Sequence, residues 1–314
     1  MRIGLVVDSC CDLPAEYFKQ HDITILPITV RIGDAVLADH RNEEATLEFL
    51  QAHIATRGAE AETMPFTVQQ IQDLFLKKLV IDYDYVFCLT ITKTRSPIYE
   101  NAMQASFAIL NEYRAARSAA GHDTPFALRV IDTQTLFAAQ GITAVEAVRL
   151  IAAGEGAPKI RARLENLALH TYGYMIPRDL YYLRARARKK GDRSVGLLSA
   201  ALGSALDIKP VLRGYRGATE PIAKVKGFEQ GVEKLFQYTG DRIRAGLMTP
   251  TVCLSYGGEL AEMRALPGYE DLVVTCRSYN IELFESVMSL TGMVNVGKGA
   301  LVVGFASEPH AFTA

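Results

Sequence analysis

The sequence predicts an α/β protein of two domains: a largely parallel sheet with helices on both faces in the N-terminal domain, then a second α/β (α+β) domain. Three observations carry this expectation. The stretch 3–7 is continuously apolar and 85–91 is apolar but for Thr90, the pattern of strands covered on both faces. Such runs alternate with helical stretches as far as residue 153, the order that builds a parallel sheet. Gly154-Glu155-Gly156 then breaks a long helix and the texture changes, so the domains are placed at residues 1–157 and 158–314. A chain of 314 residues, 49% apolar and 22% charged, can bury a core of that size.

The first strand, 3–7, runs into Asp8-Ser9-Cys10-Cys11-Asp12-Leu13-Pro14, where Asp12 can cap a helix from near Pro14 to near His21. Residues 23–32 read as one strand bent at Pro27, and Gly33-Asp34 turns it into 35–37. Asn42 caps a helix reaching about Ala55, and Thr67 caps another reaching about Leu79. Between them, 58–67 reads as a loop carrying the hydroxyl of Thr63. The strand 85–91 opens into a polar turn and a helix to about Ser118, with Ser96 as N-cap and Pro97 at the first helical position. A strand at 126–131 and a helix over 136–153 complete the first domain.

Beyond the boundary, 159–170 is helical and 172–176 strand-like. A basic helix over 178–190 ends at Gly191, and a small-residue apolar stretch follows at 195–206. Strands at 209–212 and 222–225 flank the turn Arg216-Gly217, and a long helix occupies 228–245. Residues 252–255, 272–276 and 300–305 read as further strands.

The net charge of −1 gives no global attraction to nucleic acid or an anionic membrane. The N-terminus enters a strand directly, and no apolar run approaches the roughly 18–20 residues of a membrane span, so a cytoplasmic location is expected. Cys10, Cys11, Cys88, Cys253 and Cys276 are odd in number and lack metal-site spacing, which points to reduced structural thiols. The histidines show no metal-ligand spacing either.

The turn after 85–91 is the chemical focus. It lies at the carboxyl end of a strand, where open α/β sheets bind ligands, and a helix N-terminus favours an anionic group. A capped helix without a ligand is the plainer alternative. Asp8 and Ser9 support a site, or equally a pair of hydrogen bonds to neighbouring loops. Gly297-Lys298-Gly299 lacks the phosphate-loop pattern and reads as a turn. The run Arg184, Arg186, Arg188, Lys189, Lys190, Arg193 is a solvated helix face or a docking surface for an acidic partner or phosphate. No GxSxG elbow and no complete catalytic set occurs, so a binding protein is expected rather than an enzyme.

Taken in order, these pieces resemble the DegV family of bacterial fatty-acid-binding proteins over nearly the whole chain. Val6-Val7-Asp8-Ser9-Cys10-Cys11-Asp12-Leu13-Pro14 is similar to the family's opening V-x-D-S-x-x-D-L-P. Leu26-Pro27-Ile28 resembles its second strand, and Thr63-Met64-Pro65 stands at its T-S-Q-P. Thr92-Lys93-Thr94-Arg95-Ser96-Pro97-Ile98-Tyr99 stands at S-S-x-x-S-G-T-Y, and Val130-Ile131-Asp132-Thr133 at V-x-D-S. Leu180 to Arg193 resembles L-x-Y-L-x-x-G-G-R, Ile208-Lys209-Pro210-Val211-Leu212 matches I-K-P-I-L, and Gly297-Lys298-Gly299 lies at H-x-G-P-G.

The resemblance implies one long-chain fatty acid in an apolar tunnel between two α/β domains, with no cofactor and no catalysis. It implies that the hydroxyls of Thr63 and Ser96 hold the carboxylate, with Thr92, Lys93 and Asn295 completing the ligand-binding set. In some members the protein presents its fatty acid to a separate kinase, and the basic segment with Arg184, Arg186, Lys189, Lys190 and Arg193 would serve docking. The chain departs from the family where Thr92 and Lys93 replace paired serines, where Ser96-Pro97-Ile98 replaces S-G-T, and where Asn295 replaces a histidine. A second expectation is therefore another anionic metabolite, phosphorylated or carboxylated, on the same scaffold.

Overall fold

A continuous apolar run needs cover on both faces, and the computed structural model, which describes residues 1–54, 61–180 and 207–313, provides it for the first strand. Strand β1 (Ile3–Asp8) is buried from residue 4 onward. It pairs in parallel with β2 (Thr24–Leu26) and with β6 (Tyr85–Thr90). β6 pairs in parallel with β7 (Ala127–Asp132), giving the order β2-β1-β6-β7. This is the expected parallel sheet.

The single strand expected over 23–32 is two strands in two sheets. Pro27 has no N–H to continue a ladder, so the chain changes partners there. Ser9 N–H donates to Leu26 O (3.0 Å) and Ser9 Oγ accepts from Ile28 N–H (3.0 Å), so one residue bridges the change. Beyond it, β3 (Ile28–Ile32) pairs antiparallel with β4 (Ala35–Asp39) and β5 (Glu62–Pro65). Thr63 thus lies in a strand, where a loop was expected.

The third sheet is six-stranded, in the order β10-β9-β8-β13-β11-β12. Its members are β8 (Thr171–Ile176), β9 (Ile208–Tyr215), β10 (Ala218–Lys226), β11 (Thr251–Tyr256), β12 (Glu282–Val287) and β13 (Leu301–Ala306). Only β11 and β12 pair in parallel. Edge strand β10 carries Pro221, Lys224, Lys226 and an irregular register at Pro221/Ala223, features that blunt an open edge.

The helices are α1 (Ala15–Gln20), α2 (Glu43–Phe49), α3 (Val68–Leu74), α4 (Ile98–Ala108), α5 (Tyr113–Ala119), α6 (Ala138–Ala152), α7 (Ala157–Ala168), α8 (Phe228–Ala245), α9 (Leu260–Arg264), α10 (Tyr269–Ser278) and α11 (Leu290–Val296). Among the described residues none is long and apolar enough to cross a membrane. Asn42 caps α2 by accepting from Ala45 N–H, and Thr67 with Gln70 forms a capping box on α3, as expected.

Three further sequence expectations are corrected. Residues 272–276 are helical, not a strand: Tyr269, Leu272, Thr275 and Cys276 recur on one buried face of α10, with Val274 exposed opposite. The strand beside β11 is instead β12, whose Glu282 and Glu285 break any apolar run. The helix expected over 97–118 is interrupted by a tight turn at Ile109–Asn111, after which the Glu112 carboxylate accepts from Gln72 Nε2 (2.8 Å). Asp12 does not cap α1, because its carboxylate is engaged elsewhere in the interior.

Helix α6 is the shared rib of the molecule. Its residues 138–147 are all buried, and it packs against β1 and β6 on one side and β8, β11 and β13 on the other. Close approach is possible because Gly304, Gly173 and Gly214 stand side by side across β13, β8 and β9. A Cβ at Gly304 would lie 2.6 Å from Ala139 Cα, and one at Gly173 3.0 Å from Ala139 Cβ. One apolar core consequently runs from Leu5 to Ala306, while a second cluster fills the space under α8.

Candidate functional site

The carboxyl ends of β1, β6 and β7 carry a dense set of polar groups. Asp8, fully buried at the end of β1, accepts from Cys10 N–H (2.9 Å), Ile91 N–H (2.5 Å) and Gln140 Nε2 (3.3 Å). Burial pushes its pKa up to about 6, against the pull of the Ile91 and Cys10 amides. Of the two readings for Asp8 and Ser9, the geometry is that of hydrogen bonds to neighbouring loops. Burial also raises the pKa values of the Cys10 and Cys11 thiols, keeping them protonated.

Asp12 has a role that the sequence does not announce. Its Oδ1 accepts from Ser289 N–H (2.9 Å) and lies 3.5 Å from the guanidinium of Arg41, which is as deeply buried. Arg41 donates to Val287 O (2.8 Å), and Asp39 accepts from Leu290 N–H (2.8 Å). Together with the Ser289 cap, whose Oγ accepts from Gly292 N–H, these contacts seat the start of α11 on the N-terminal strands. Burial raises the Asp12 pKa to about 6, with Arg41 opposing. Nothing in the spacing of residues 12, 39, 41 and 289 signals this cluster, since its members meet only through the tertiary fold.

The loop between β6 and α4 is fixed almost atom by atom. Thr92 N–H donates to Thr135 O (2.9 Å), and Arg95 N–H closes a turn on Thr92 O (3.0 Å). Gln134 N–H donates to Asp132 Oδ1 (2.9 Å), and burial raises the Asp132 pKa, with that amide and the nearby Lys93 opposing. Helix α4 starts at Ile98, one residue later than expected, and Ser96 Oγ accepts from Ile98 N–H (3.3 Å). No acceptor among the described residues takes the Ser96 hydroxyl proton, and the side chain is half-buried. Thr92 is buried, with its hydroxyl 3.2 Å from that of Thr94, so it faces the protein. Lys93 is exposed, its ammonium 5.8 Å from the Tyr99 ring centroid.

Thr63 sits opposite Val30 in the β3–β5 ladder, and cross-strand partners share a face. Val30 is fully buried, so Thr63 is on the covered face of the small sheet while Met64 is exposed on the other. Strand β3 packs against α11, the helix that carries Asn295. Asn295 is half-buried and donates from Nδ2 to Thr291 O (2.6 Å), which engages one of its two amide protons within its own helix. Phe66 O accepts from Asn101 Nδ2 (2.8 Å), tying the segment after β5 to α4. The expected residues thus fall on three elements: Thr63 on β5, which pairs with β3; Asn295 on α11, which packs on that same β3; and Ser96 on the loop before α4, the helix that Asn101 ties to the segment after β5. Arg184, Arg186, Lys189, Lys190 and Arg193 lie outside the described residues. Among the described residues no cluster of His, Cys, Asp and Glu is arranged to hold a metal ion.

A model of the DegV family, described as that of an uncharacterised protein, matches residues 2–308. A DegV domain-containing protein of Xanthomonas axonopodis pv. citri is 73% identical over 314 residues, covering 100% of both chains. A fatty acid-binding protein of Thermotoga maritima is 26% identical, covering 98% of each. A crystal structure of a stearic acid-binding protein from Eubacterium ventriosum superposes with a TM-score of 0.75 at 21% identity, covering 97% of this chain and 98% of that one. With the family model matching nearly end to end and a relative so similar over its full length, the chain belongs to the DegV family.

Proposed function

We propose that this protein binds one long-chain fatty acid between its N-terminal and C-terminal halves, without catalysing a reaction on it. The carboxylate is received by the hydroxyls of Thr63 and Ser96, with the Lys93 ammonium supplying charge from the loop and Asn295 lying alongside on α11. The observation that carries this reading is Ser96: a half-buried hydroxyl at the carboxyl end of a central parallel strand, with its proton uncommitted among the described residues. The fatty-acid-binding description of relatives with the same architecture supports the class of ligand. The five cysteines are free thiols, which suits a reducing, cytoplasmic setting. Presentation of the ligand to a fatty-acid kinase, through a basic surface at Arg184 to Arg193, extends the same proposal.

The test is native mass spectrometry of freshly purified protein with solvent extraction, followed by stearate titration. A stoichiometric fatty acid is expected. Thr63→Ala and Ser96→Ala should each lower stearate affinity by about 1.5–3 kcal/mol, the loss of a hydrogen bond to a charged group. Unchanged affinity would reject the head-group assignment. The exposed Lys93, standing where the family has a serine, favours a second reading in which the ligand is a more polar anion. An empty protein that is stabilised by a soluble phosphorylated or carboxylated metabolite would select that reading.

A further inference from the structure

Three hydroxyls line the β6–α4 loop, and two of them are already committed. Thr94 Oγ1 donates its proton to Gly217 O (2.5 Å). A hydroxyl has one proton, so in the 3.2 Å contact between Thr92 and Thr94 the donor is Thr92. The buried Thr92 hydroxyl therefore has no proton left for a carboxylate. What the two residues form is a relay, Thr92 to Thr94 to Gly217 O, that ends at the tip of a hairpin of the six-stranded sheet.

The end of the relay is the tip of the β9–β10 hairpin, and that tip is shaped for contact. Arg216 and Gly217 both have positive φ (48° and 78°), the tight-turn geometry that glycine tolerates. Gly217 N–H donates to Gln134 O (2.7 Å) just beyond β7, so the tip engages the ends of two parallel strands through both its N–H and its carbonyl. A Cβ at Gly217 would stand 3.2 Å from Thr92 Oγ1 and 3.5 Å from Thr94 Cγ2. Arg216 Nε donates to Leu169 O (3.0 Å), anchoring the tip from its other side.

We propose that the β9–β10 hairpin tip positions the head-group loop through Thr94, so that seating of the hairpin and occupancy of the ligand site are coupled. The proposal rests on the fatty-acid reading above. Thr94 is a positioning residue: its hydroxyl holds the turn between Lys93 and Ser96 against Gly217 and does not reach the ligand. Coupling of this kind is reciprocal, so a carboxylate held by the loop also holds the hairpin in place.

The test is amide hydrogen exchange of the full chain with and without stearate, alongside stearate affinity, for the wild type, Thr94→Val and Thr94→Ser. In the wild type and in Thr94→Ser, stearate slows exchange in the hairpin over 208–226. In Thr94→Val that protection is lost, and affinity falls about three- to tenfold, the factor of one ordinary hydrogen bond. Exchange in β11 and β13 reports that each variant is folded. Should Thr94→Val misfold, Gly217→Ala strains the tip from the other side and is expected to give the same loss. If the wild type binds stearate and Ser96→Ala weakens it, yet Thr94→Val keeps affinity and hairpin protection, the positioning role is overturned and the fatty-acid reading stands. A wild type that binds no fatty acid overturns both.

Discussion

Arg41 enters the interior with a positive φ of 61° and a guanidinium that serves Asp12, Leu13 O and Val287 O at once. A lysine could not fork to these groups, so the residue type is set by geometry as well as charge. The cluster still leaves Asp12 Oδ2, Arg41 Nε and Ser255 Oγ without a hydrogen-bond partner among the described residues. An incompletely satisfied buried carboxylate gives up its charge readily. Asp8 and Asp12 have native pKa values of about 6 against an ordinary 3.8, with burial the leading cause in both. The native state therefore takes up these protons before the unfolded state does. Their contribution to stability is fully present below about pH 4 and is lost as pH rises through about 6. Asp84 acts oppositely: the Arg2 amide, with Arg117 beside it, holds its pKa at about 2, so its contribution fails only in stronger acid. The melting temperature should accordingly rise between pH 7 and about pH 5. Melts of the wild type and of Asp12→Asn across this range check the claim. The variant should show a flatter rise whatever its own melting point, and an equally steep rise would assign the effect to other groups.

At the scale of elements, the glycine row across β13, β8 and β9 decides how closely α6 can lie on the six-stranded sheet. A methyl at Gly304 would meet backbone atoms of Ala138 and Ala139, which cannot rotate away as a side chain could. Gly304→Ala should destabilise by about 3 kcal/mol or more, read from urea midpoints at constant m. Gly258→Ala, whose new methyl would first meet the Tyr256 ring and the end of Glu262, both side chains, should cost far less. No sequence pattern marks this row, because residues 173, 214 and 304 become neighbours only when three strands pair. The same reason hides the Asp12–Arg41–Ser289 junction. What the sequence does reveal is local: the apolar runs of β1 and β6, the Asn42 and Thr67 caps, and the 228–245 helix with its regular apolar face. Short segments fail where one signal has two causes. Residues 272–276 are apolar enough for a strand, but their burial recurs at helical spacing. The candidate site divides in the same way. Ser96 stands at a strand end that the sequence marks, whereas the engagement of Thr92 through Thr94 depends on a hairpin more than a hundred residues away, |i−j| = 123.

For the whole molecule, the strands divide cleanly along the chain: the first two sheets use residues 3–132 and the third uses 171–306. The core does not divide with them. Helix α6 is buried between both sets of strands, with Ala139 in the glycine row and Gln140 reaching back to Asp8. At its far end Glu146 is held by Arg163 Nε (2.7 Å), Arg149 Nη1 (2.7 Å) and Thr249 Oγ1 (3.1 Å), and Arg149 continues to Glu282 (2.9 Å). Burial alone would raise the Glu146 pKa, but Arg163 and its companions bring it below the ordinary value, so the network stays charged. Removing either half would thus uncover one side of α6 and leave buried charges without partners, a far larger loss than an ordinary interface between domains entails. The halves should therefore unfold together. Calorimetry is expected to give one transition with equal calorimetric and van't Hoff enthalpies, and far-UV and tyrosine signals should coincide. Gly304→Ala extends the test, because a defect in the glycine row should lower that single transition as a whole. Two resolved transitions, or a variant that splits one into two, would mean that α6 belongs to one half only and that the other half docks on it after folding.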